Sequence, residues 1–381
     1  MYKKLFSEID ALSEKYLDIL EDICNIESPT SHKAGVDAVG DYCIAVAERT
    51  GFSAERFAEQ ISGNAVLITM NPKAPKAPIT LSAHMDTVHP IGSFGEPAVK
   101  REGDIMHGPG VMDCKGGVAA AMLAMEALLR CGFEERPVKL FLQSDEENSS
   151  KTSDKRTVKK MCECAAGSRA FINLEGFVAD TAVLIRKGII RYKFTVYGKA
   201  IHSARCAYGV NAIAEAAAKI LELEKMKDVE GLTCNCGVIQ GGTAPNSVAD
   251  RCEFFADIRF LTPEELDIAR EMVKRIAEHS YLEGSRCDIE EVSFRISMPK
   301  SEKNEELLAR MNEIYSRCEL PHLEPRVCVS GSDAAYITAS GIPCVDSLGT
   351  EGGNIHSTEE YMKTSSLAEA AKRIASVIFY I

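Results

Sequence analysis

Hydrophobic residues along the first half of the chain follow two periods, one helical and one typical of strands. Apolar residues at helical spacing predict helices, and short apolar runs bounded by Asn, Pro and Lys predict strands. The predicted helices cover 4–24, 34–50 and 116–130, and the predicted strands cover 65–70, 79–82, 138–143 and 171–174. Because strands and helices alternate, we expect an α/β fold with a mostly parallel sheet.

The pattern changes near Lys187–Gly188. From there the chain predicts strands at 189–197, 252–260 and 287–296 and helices at 210–223 and 263–278. The α/β pattern resumes at 304–318, 334–340 and 367–381. We therefore expect one domain formed by residues 1–187 and 297–381, and a smaller α+β domain, residues 188–296, inserted into it. A single continuous domain is the alternative.

Composition narrows the class of protein. The 381 residues are 45% hydrophobic and 26% charged, which is ordinary for a globular chain of about two domains. A net charge of -12 argues against a nucleic-acid-binding protein, which would carry a basic surface. No run approaches 18 apolar residues, so no membrane span is expected. The charged N-terminus and 14 scattered cysteines favour a cytoplasmic location.

Two motifs carry candidate chemistry in the first third of the chain. His84-Met85-Asp86 follows a predicted strand. Residues two apart on a strand point the same way, so His84 could bind a metal while Asp86 holds its other ring nitrogen. A surface or core pair is the alternative. Asp113 lies in the glycine-rich run 108–117 before a predicted helix, where it could hold a ligand or cap that helix. A phosphate-binding loop is excluded because Gly, instead of Ser or Thr, follows Lys115.

Three further motifs place acids or histidine after strands or in turns. Asp145-Glu146-Glu147 follows one predicted strand, Glu175 follows another, and His356 lies in a late glycine-containing run. An acidic loop in water is the alternative for the three adjacent acids. Ligands bind outside the carboxyl ends of strands in open α/β sheets. The candidate metal ligands are His84, Asp113, Glu147, Glu175 and His356. Two imidazoles and three carboxylates suit a pair of divalent ions, and zinc is the first choice for these ions.

Together these motifs resemble the M20 metallopeptidases, which include aminoacylase, succinyl-diaminopimelate desuccinylase, peptidase T and glutamate carboxypeptidase. The run 331–336 is most similar to the bacterial glutamate carboxypeptidase branch. The resemblance implies two zinc ions per chain, with cobalt or manganese as substitutes. It implies these roles: Asp113 bridges the metals, His84 and Glu175 complete one, Glu147 and His356 complete the other, Glu146 is the general base for a metal-bridged hydroxide, and Asp86 orients His84.

The resemblance also implies a role for the inserted domain, as a lid and dimerisation domain. His202, in Gly198–Ala204, would reach the active site of a partner subunit and polarise the scissile carbonyl. Asn246 and Arg259 match positions that hold a substrate carboxylate. The expected enzyme is therefore a homodimeric hydrolase that cleaves an amide bond next to a free carboxylate in a small peptide or N-acyl amino acid.

Some residues depart from the family pattern. The paired acids are followed by Asn148 and a polar stretch, 151–160, where relatives have a glycine, and Met298 stands where glutamate carboxypeptidases have Arg. Arg295 is a candidate replacement for that Arg. Cys114 follows the expected bridging Asp; its thiol could be oxidised or bind stray metal, but packing is its expected role. A metal-binding relative without turnover is the alternative function. A Ser- or Cys-nucleophile hydrolase is disfavoured because the chain has no G-x-S-x-G elbow.

Overall fold

The computed structural model describes residues 2–381, with helices and strands in alternation over most of the chain. The helices are α1 Tyr2–Asn25, α2 Lys33–Thr50, α3 Lys115–Arg130, α4 Arg156–Ala165, α5 Ala212–Leu223, α6 Pro263–Glu278, α7 Glu302–Arg317, α8 Ala334–Ala339 and α9 Ser365–Tyr380, with a 3-10 helix at Ser203–Tyr208.

Sixteen strands lie between these helices in the described residues. They are β1 Ser53–Phe57, β2 Ala65–Met70, β3 Ile79–His84, β4 Lys100–Glu102, β5 Ile105–His107, β6 Val138–Gln143, β7 Ala170–Asn173, β8 Thr181–Arg186, β9 Gly188–Tyr197, β10 Thr233–Gly241, β11 Arg251–Phe260, β12 Arg286–Arg295, β13 Glu324–Cys328, β14 Cys344–Val345, β15 Gly352–Gly353 and β16 Tyr361–Lys363.

The chain forms two compact units. The first comprises residues up to Leu184 together with Lys300–Val327 and Asp333–Ile381, and the second comprises Ile185–Pro299 and Cys328–Ser332. The short segment Cys328–Ser332 differs from the sequence-based boundaries, which put it with the larger domain. It lies with the second unit because the backbone N–H of Lys187 donates to the Cys328 carbonyl and Arg186 donates to Ser330.

A six-stranded mixed sheet in the order β1-β2-β6-β3-β7-β14 forms the centre of the first unit. The pairs β6/β3, β3/β7 and β7/β14 are parallel, whereas β2 and β1 are antiparallel additions at one edge. All residues of β3 and β7 are buried, as parallel strands covered on both faces require. The predicted α/β fold with a largely parallel sheet is thus confirmed.

Helix α3 is buried over nearly its whole length, so its Ala- and Met-rich sequence has no polar face. It packs against α1, α9 and β3. Glu126 of α3 is buried and accepts hydrogen bonds from Tyr16 and Lys15 of α1 at 2.7 and 2.6 Å. These bonds fix α1 on the helix that begins beside the candidate site.

The second unit is a βαββαβ arrangement of β9, α5, β10, β11, α6 and β12. Its sheet is antiparallel in the order β10-β11-β9-β12, and α5 and α6 pack on its apolar face. Strand β10 was not predicted because Thr233–Gly241 mixes Asn, Gly and Cys without regular alternation, and a bulge interrupts its pairing with β11. As an edge strand, β10 leaves most of its residues exposed.

Two further structural facts concern the whole described chain. Among residues 2–381 no helix combines the length and the apolar composition that crossing a bilayer requires. All fourteen cysteines are free thiols.

Candidate metal centre

The predicted ligands gather at one edge of the parallel sheet. His84 is the last residue of β3, Glu147 follows the end of β6, and Glu175 follows the end of β7. Because these three strands are parallel neighbours, their carboxyl ends meet at the same edge. Asp113 comes from the loop before α3, and His356 from the turn between β15 and β16.

Asp113 lies at the centre of the cluster and faces a different imidazole with each oxygen. Its Oδ1 is 3.2 Å from His84 Nε2, and its Oδ2 is 3.2 Å from His356 Nε2. Each imidazole also meets a second carboxylate: Glu175 Oε1 is 4.0 Å from His84 Nε2, and Glu147 Oε2 is 3.3 Å from His356 Nε2. The result is two donor sets that share one carboxylate.

The charges of these groups suit a site for divalent cations. Burial acts to raise the pKa of Asp113, but the contacts with His356 and His84 hold it below its usual range. Burial raises the pKa of Glu147 to about 8, against the hydrogen bond from His356. Hydrogen bonds with Asp113 and Glu147 raise the pKa of His356 to about 10. The carboxylates therefore draw positive charge onto the imidazoles, and divalent cations would supply that charge while using the same nitrogen and oxygen donors.

Asp86 is completely buried and organises both sides of the cluster. His84 Nδ1 lies 2.9 Å from the main-chain oxygen of Asp86 and 3.5 Å from its carboxylate. The carboxylate accepts hydrogen bonds from the backbone N–H groups of Glu146 and Glu147, at 3.1 and 3.2 Å, and from the Thr30 hydroxyl. Its contact with His84 thus runs mainly through the backbone, while the side chain holds the loop that bears the paired acids.

The structure excludes two of the alternatives considered for these motifs. The N-cap of α3 is Cys114, and no side chain caps this helix, so Asp113 is not a helix cap. The acidic run is not a solvated loop, because Asp145 and Glu146 are buried. Asp145 accepts hydrogen bonds from Ser153 and Thr157 and so ties this loop to the start of α4, within the stretch expected to be a polar loop.

Glu360 and His89 lie directly behind the cluster and were not predicted from the sequence. The Glu360 carboxylate is completely buried and accepts hydrogen bonds from the backbone N–H groups of Gly110, Met112 and Asp113 at 3.0–3.1 Å. His89 Nε2 lies 2.7 Å from Oε2 of Glu360. Glu360 thereby shapes the glycine-rich loop that presents Asp113. Its sequence signal was weak, because it is one of two adjacent acids near His356.

In the second unit, His202 and Asn246 are neighbours and both are exposed. The Ser203 backbone N–H donates to the Asn246 carbonyl at 2.9 Å, and His202 pairs with Ser247 in an isolated bridge. The Ala204 N–H donates to His202 Nδ1, which leaves Nε2 directed away from its own turn.

Arg259 lies at the other end of β11 from this pair. Cys252, at the start of β11, pairs with Gly241, which precedes the loop that carries Asn246. Arg259 lies seven residues further along β11 than Cys252, which corresponds to about 23 Å of extended strand. Its guanidinium donates to both oxygens of Asp257, at 2.6 and 3.2 Å, so its paired N–H groups are already engaged in this structure.

The fold and the donor set together define the class: an α/β protein with a candidate two-metal centre at the carboxyl edge of its sheet. Residues 80–380 match the family described as Peptidase family M20/M25/M40, and the chain belongs to this family. The predicted family is therefore confirmed. The chain is a hydrolase of a metal-dependent peptidase family.

Named relatives agree with this assignment. The chain is 26% identical to carboxypeptidase G2 of Pseudomonas sp. (strain RS-16), over 94% of this chain and 87% of that protein. It resembles the solved structure of aminopeptidase PepT from Bacillus cereus, with a TM-score of 0.77, 20% identity and coverage of 96% and 98%. It also resembles the YXEP protein of Bacillus subtilis, described as a dinuclear metal-binding peptidase of the M20 family, with a TM-score of 0.72, 16% identity and coverage of 97% and 98%.

Proposed function

We propose that this protein is a two-metal hydrolase that cleaves the amide bond next to a free carboxylate in a small peptide or an N-acyl amino acid. The observation that supports it best is Asp113, whose two oxygens face His84 and His356, each of which has a second carboxylate beside it. A carboxylate in this position is suited to bridge two ions, which in two-metal hydrolases lie about 3.5–4 Å apart.

In this proposal each ion takes three protein donors. His84, Glu175 and Asp113 would hold one ion, and His356, Glu147 and Asp113 would hold the other. Zinc is the first choice because it binds imidazole and carboxylate in open sites, and cobalt or manganese would accept the same donors. The main-chain contact of His84 Nδ1 with Asp86 supports this, because a proton held on Nδ1 would let Nε2, which faces Asp113, act as the donor to an ion.

Glu146 would act as the general base and then as the general acid. When bound, the ions would acidify water and polarise the scissile carbonyl. The backbone of Glu146 is fixed by its hydrogen bond to Asp86, and its side chain is buried beside Glu147. Glu146 would take the proton of the attacking water and deliver it to the leaving amine, a role that contributes about 10²–10⁴-fold to rate.

His202 and Asn246 would act on the substrate of a second copy of the chain. His202 would donate a hydrogen bond to the developing oxyanion, and Asn246 would help to hold the substrate carboxylate. Their exposure supports action on an external group, as does the free Nε2 of His202. Arg259 would bind the carboxylate of the substrate through two N–H groups after exchange with Asp257.

The separation of Arg259 from His202 and Asn246 supports a homodimer. A small substrate cannot span about 23 Å of strand, so both ends of β11 cannot serve one substrate from a single chain. At the outer edge of β10, Thr233 and Cys234 pair with the segment 226–227, but the later part of the edge exposes Val238 and Ile239, and α5 exposes Leu221. Such an edge is a ready surface for pairing with another copy.

The proposal is tested by hydrolysis of a panel of dipeptides, tripeptides, N-acetyl amino acids and folyl-type N-acyl amino acids by zinc-loaded protein. Glu146→Gln is the comparison variant, and it should bind about two zinc ions per chain yet turn over about 10²–10⁴-fold more slowly. The matched control is Glu359→Gln, an exposed acid near His356 that should keep full activity.

Amidated versions of the cleaved substrates test the need for a carboxylate. They should be poor substrates, because Arg259 and Asn246 would have no charged group to hold. Binding of fewer than two ions per chain would contradict the shared role of Asp113. Equal cleavage of the amidated substrates would contradict the substrate class but leave the metal centre standing.

A further inference from the structure

We propose that Cys114 is a protein ligand of the metal ion on the His84–Glu175 side, so that this half of the centre includes a sulfur donor. This inference rests on the proposed two-metal function and adds a residue to it. A ring nitrogen of His84, Sγ of Cys114 and a carboxylate oxygen of Glu175 all lie within 4.8 Å of one another. This spacing suits donors around one ion, given zinc–nitrogen and zinc–oxygen distances of about 2.0–2.2 Å and a zinc–sulfur distance of about 2.3 Å.

The position of Cys114 directs its side chain into the cluster. Cys114 is the N-cap residue of α3, yet its side chain makes no capping hydrogen bond. Sγ instead lies 3.3 Å from the backbone nitrogen of His84 and 3.4 Å from the carbonyl oxygen of Leu174. Leu174 is the residue before Glu175. The Cys114 side chain is completely buried. It is therefore held between the two strand ends that carry the other donors.

Two glycines allow the Leu174–Glu175 backbone to approach this closely. A Cβ on Gly117 would lie 2.3 Å from the Leu174 carbonyl oxygen, and a Cβ on Gly349 would lie 2.4 Å from it. Neither position can carry a side chain without moving that backbone. The close packing fixes Sγ relative to Glu175. The thiol would therefore need no large movement to reach an ion bound beside Glu175.

Binding to an ion would require Cys114 as the thiolate. Burial raises the pKa of the Cys114 thiol, so its proton would leave only when an ion takes its place. On binding, the S–H bond would break, the proton would leave to solvent, and the sulfur lone pair would form the bond to the ion; no oxidation is involved. The hydrogen bond from Sγ to Leu174 would be lost in exchange.

A sulfur donor changes which ions the centre prefers. Thiolate favours zinc, cobalt and cadmium, whereas manganese favours oxygen. With His84, Glu175 and Asp113 alone, which supply one nitrogen and two carboxylates, this half would discriminate only weakly against manganese. With Cys114 included, it should discriminate against manganese.

The test compares wild-type protein with Cys114→Ser, Cys114→Ala and a control, Cys43→Ala, each freed of metal and titrated with cobalt(II). Ser keeps a hydrogen bond to Leu174 but loses sulfur, and Ala loses both. Cys43 is equally buried but lies on α2, outside the cluster. The wild type and Cys43→Ala should show a thiolate-to-cobalt charge-transfer band in the near ultraviolet. Both Cys114 variants should lose it and keep visible ligand-field bands.

X-ray absorption of the zinc-loaded wild type provides a readout that needs no variant. It should show a sulfur shell at about 2.3 Å at half occupancy per zinc. Cadmium affinity should fall about 10–100-fold in Cys114→Ser, with a much smaller change for manganese.

The possible failures are distinguishable. Ligand-field bands without a charge-transfer band in the wild type, or no sulfur shell, would overturn the role of Cys114 and leave the two-metal function intact. The absence of all cobalt bands would overturn the proposed function itself, and the inference with it.

Discussion

The two candidate groups of functional residues differ in burial. In the first unit, His84, Asp113 and Glu147 have side chains that are less than one-tenth exposed, at the ends of parallel strands or in loops held by buried acids. Only His356, on a turn, is exposed among the five candidate ligands. In the second unit, His202 and Asn246 are exposed on turns. Donors for a cation must be fixed before it arrives, since their mutual geometry sets its affinity. Groups that meet a substrate or a second chain must stay open until they do so.

The largest expected effect comes from Asp113→Asn, which removes the shared carboxylate charge. Bound metal should fall from about two ions per chain to about none, and turnover by about 10⁴-fold or more. Metal analysis and steady-state kinetics would measure both, with Glu359→Gln as the control. Retention of two ions in Asp113→Asn would show that the two halves of the centre are independent.

His202→Ala should follow, with a loss of about 10²–10³-fold in turnover and no loss of metal. The control is His279→Ala, another exposed histidine of the second unit. This split between metal content and rate would distinguish a group that acts on the substrate from one that builds the centre.

Mixing His202→Ala with Glu146→Gln tests whether His202 acts on a partner. Each variant alone should be nearly inactive. After subunit exchange, about a quarter of the sites would combine an intact Glu146 with an intact His202 from the other chain, so activity should return to about a quarter of wild type. No recovery despite demonstrated exchange would mean that both residues act within one chain.

Glu360→Gln tests the buried support behind Asp113. The amide can accept fewer of the three backbone hydrogen bonds and carries no charge, so metal affinity should fall about 10–100-fold. Calorimetric titration with zinc would measure this, alongside the melting temperature. A lower melting temperature with unchanged metal affinity would make Glu360 a stabilising residue only.

Arg259→Lys should have the smallest effect, because it keeps the charge and loses the paired geometry. We expect KM for substrates with a free carboxylate to rise roughly tenfold, with little change in kcat. Arg191→Lys is the matched control, because Arg191 also donates to Asp257. An equal rise in KM in both variants would indicate that Asp257, and not the substrate, is the relevant partner.

The sequence predicted elements well where one period dominated. Strands 65–70 and 138–143 and helix 263–278 have the predicted limits, and α6 begins with a capping box formed by Thr262 and Glu265. Prediction failed for the strands β1, β4, β5, β8, β10, β13, β14, β15 and β16, most of which have little apolar sequence of their own. These segments are strands because a neighbour supplies hydrogen-bond partners, and no local pattern encodes that neighbour.

The candidate ligands were found from sequence because each follows a strand or lies in a glycine-rich turn, and parallel strands bring their carboxyl ends together. The sequence by itself therefore determined the family, the α/β fold and the set of candidate donors. Tertiary structure alone decided that Glu360 holds the Asp113 loop, that Asp86 contacts His84 mainly through its backbone, and that Cys114 faces Glu175. The first and third relations join residues far apart in the chain, and all three follow from the packing of buried polar groups, each of which must find a partner.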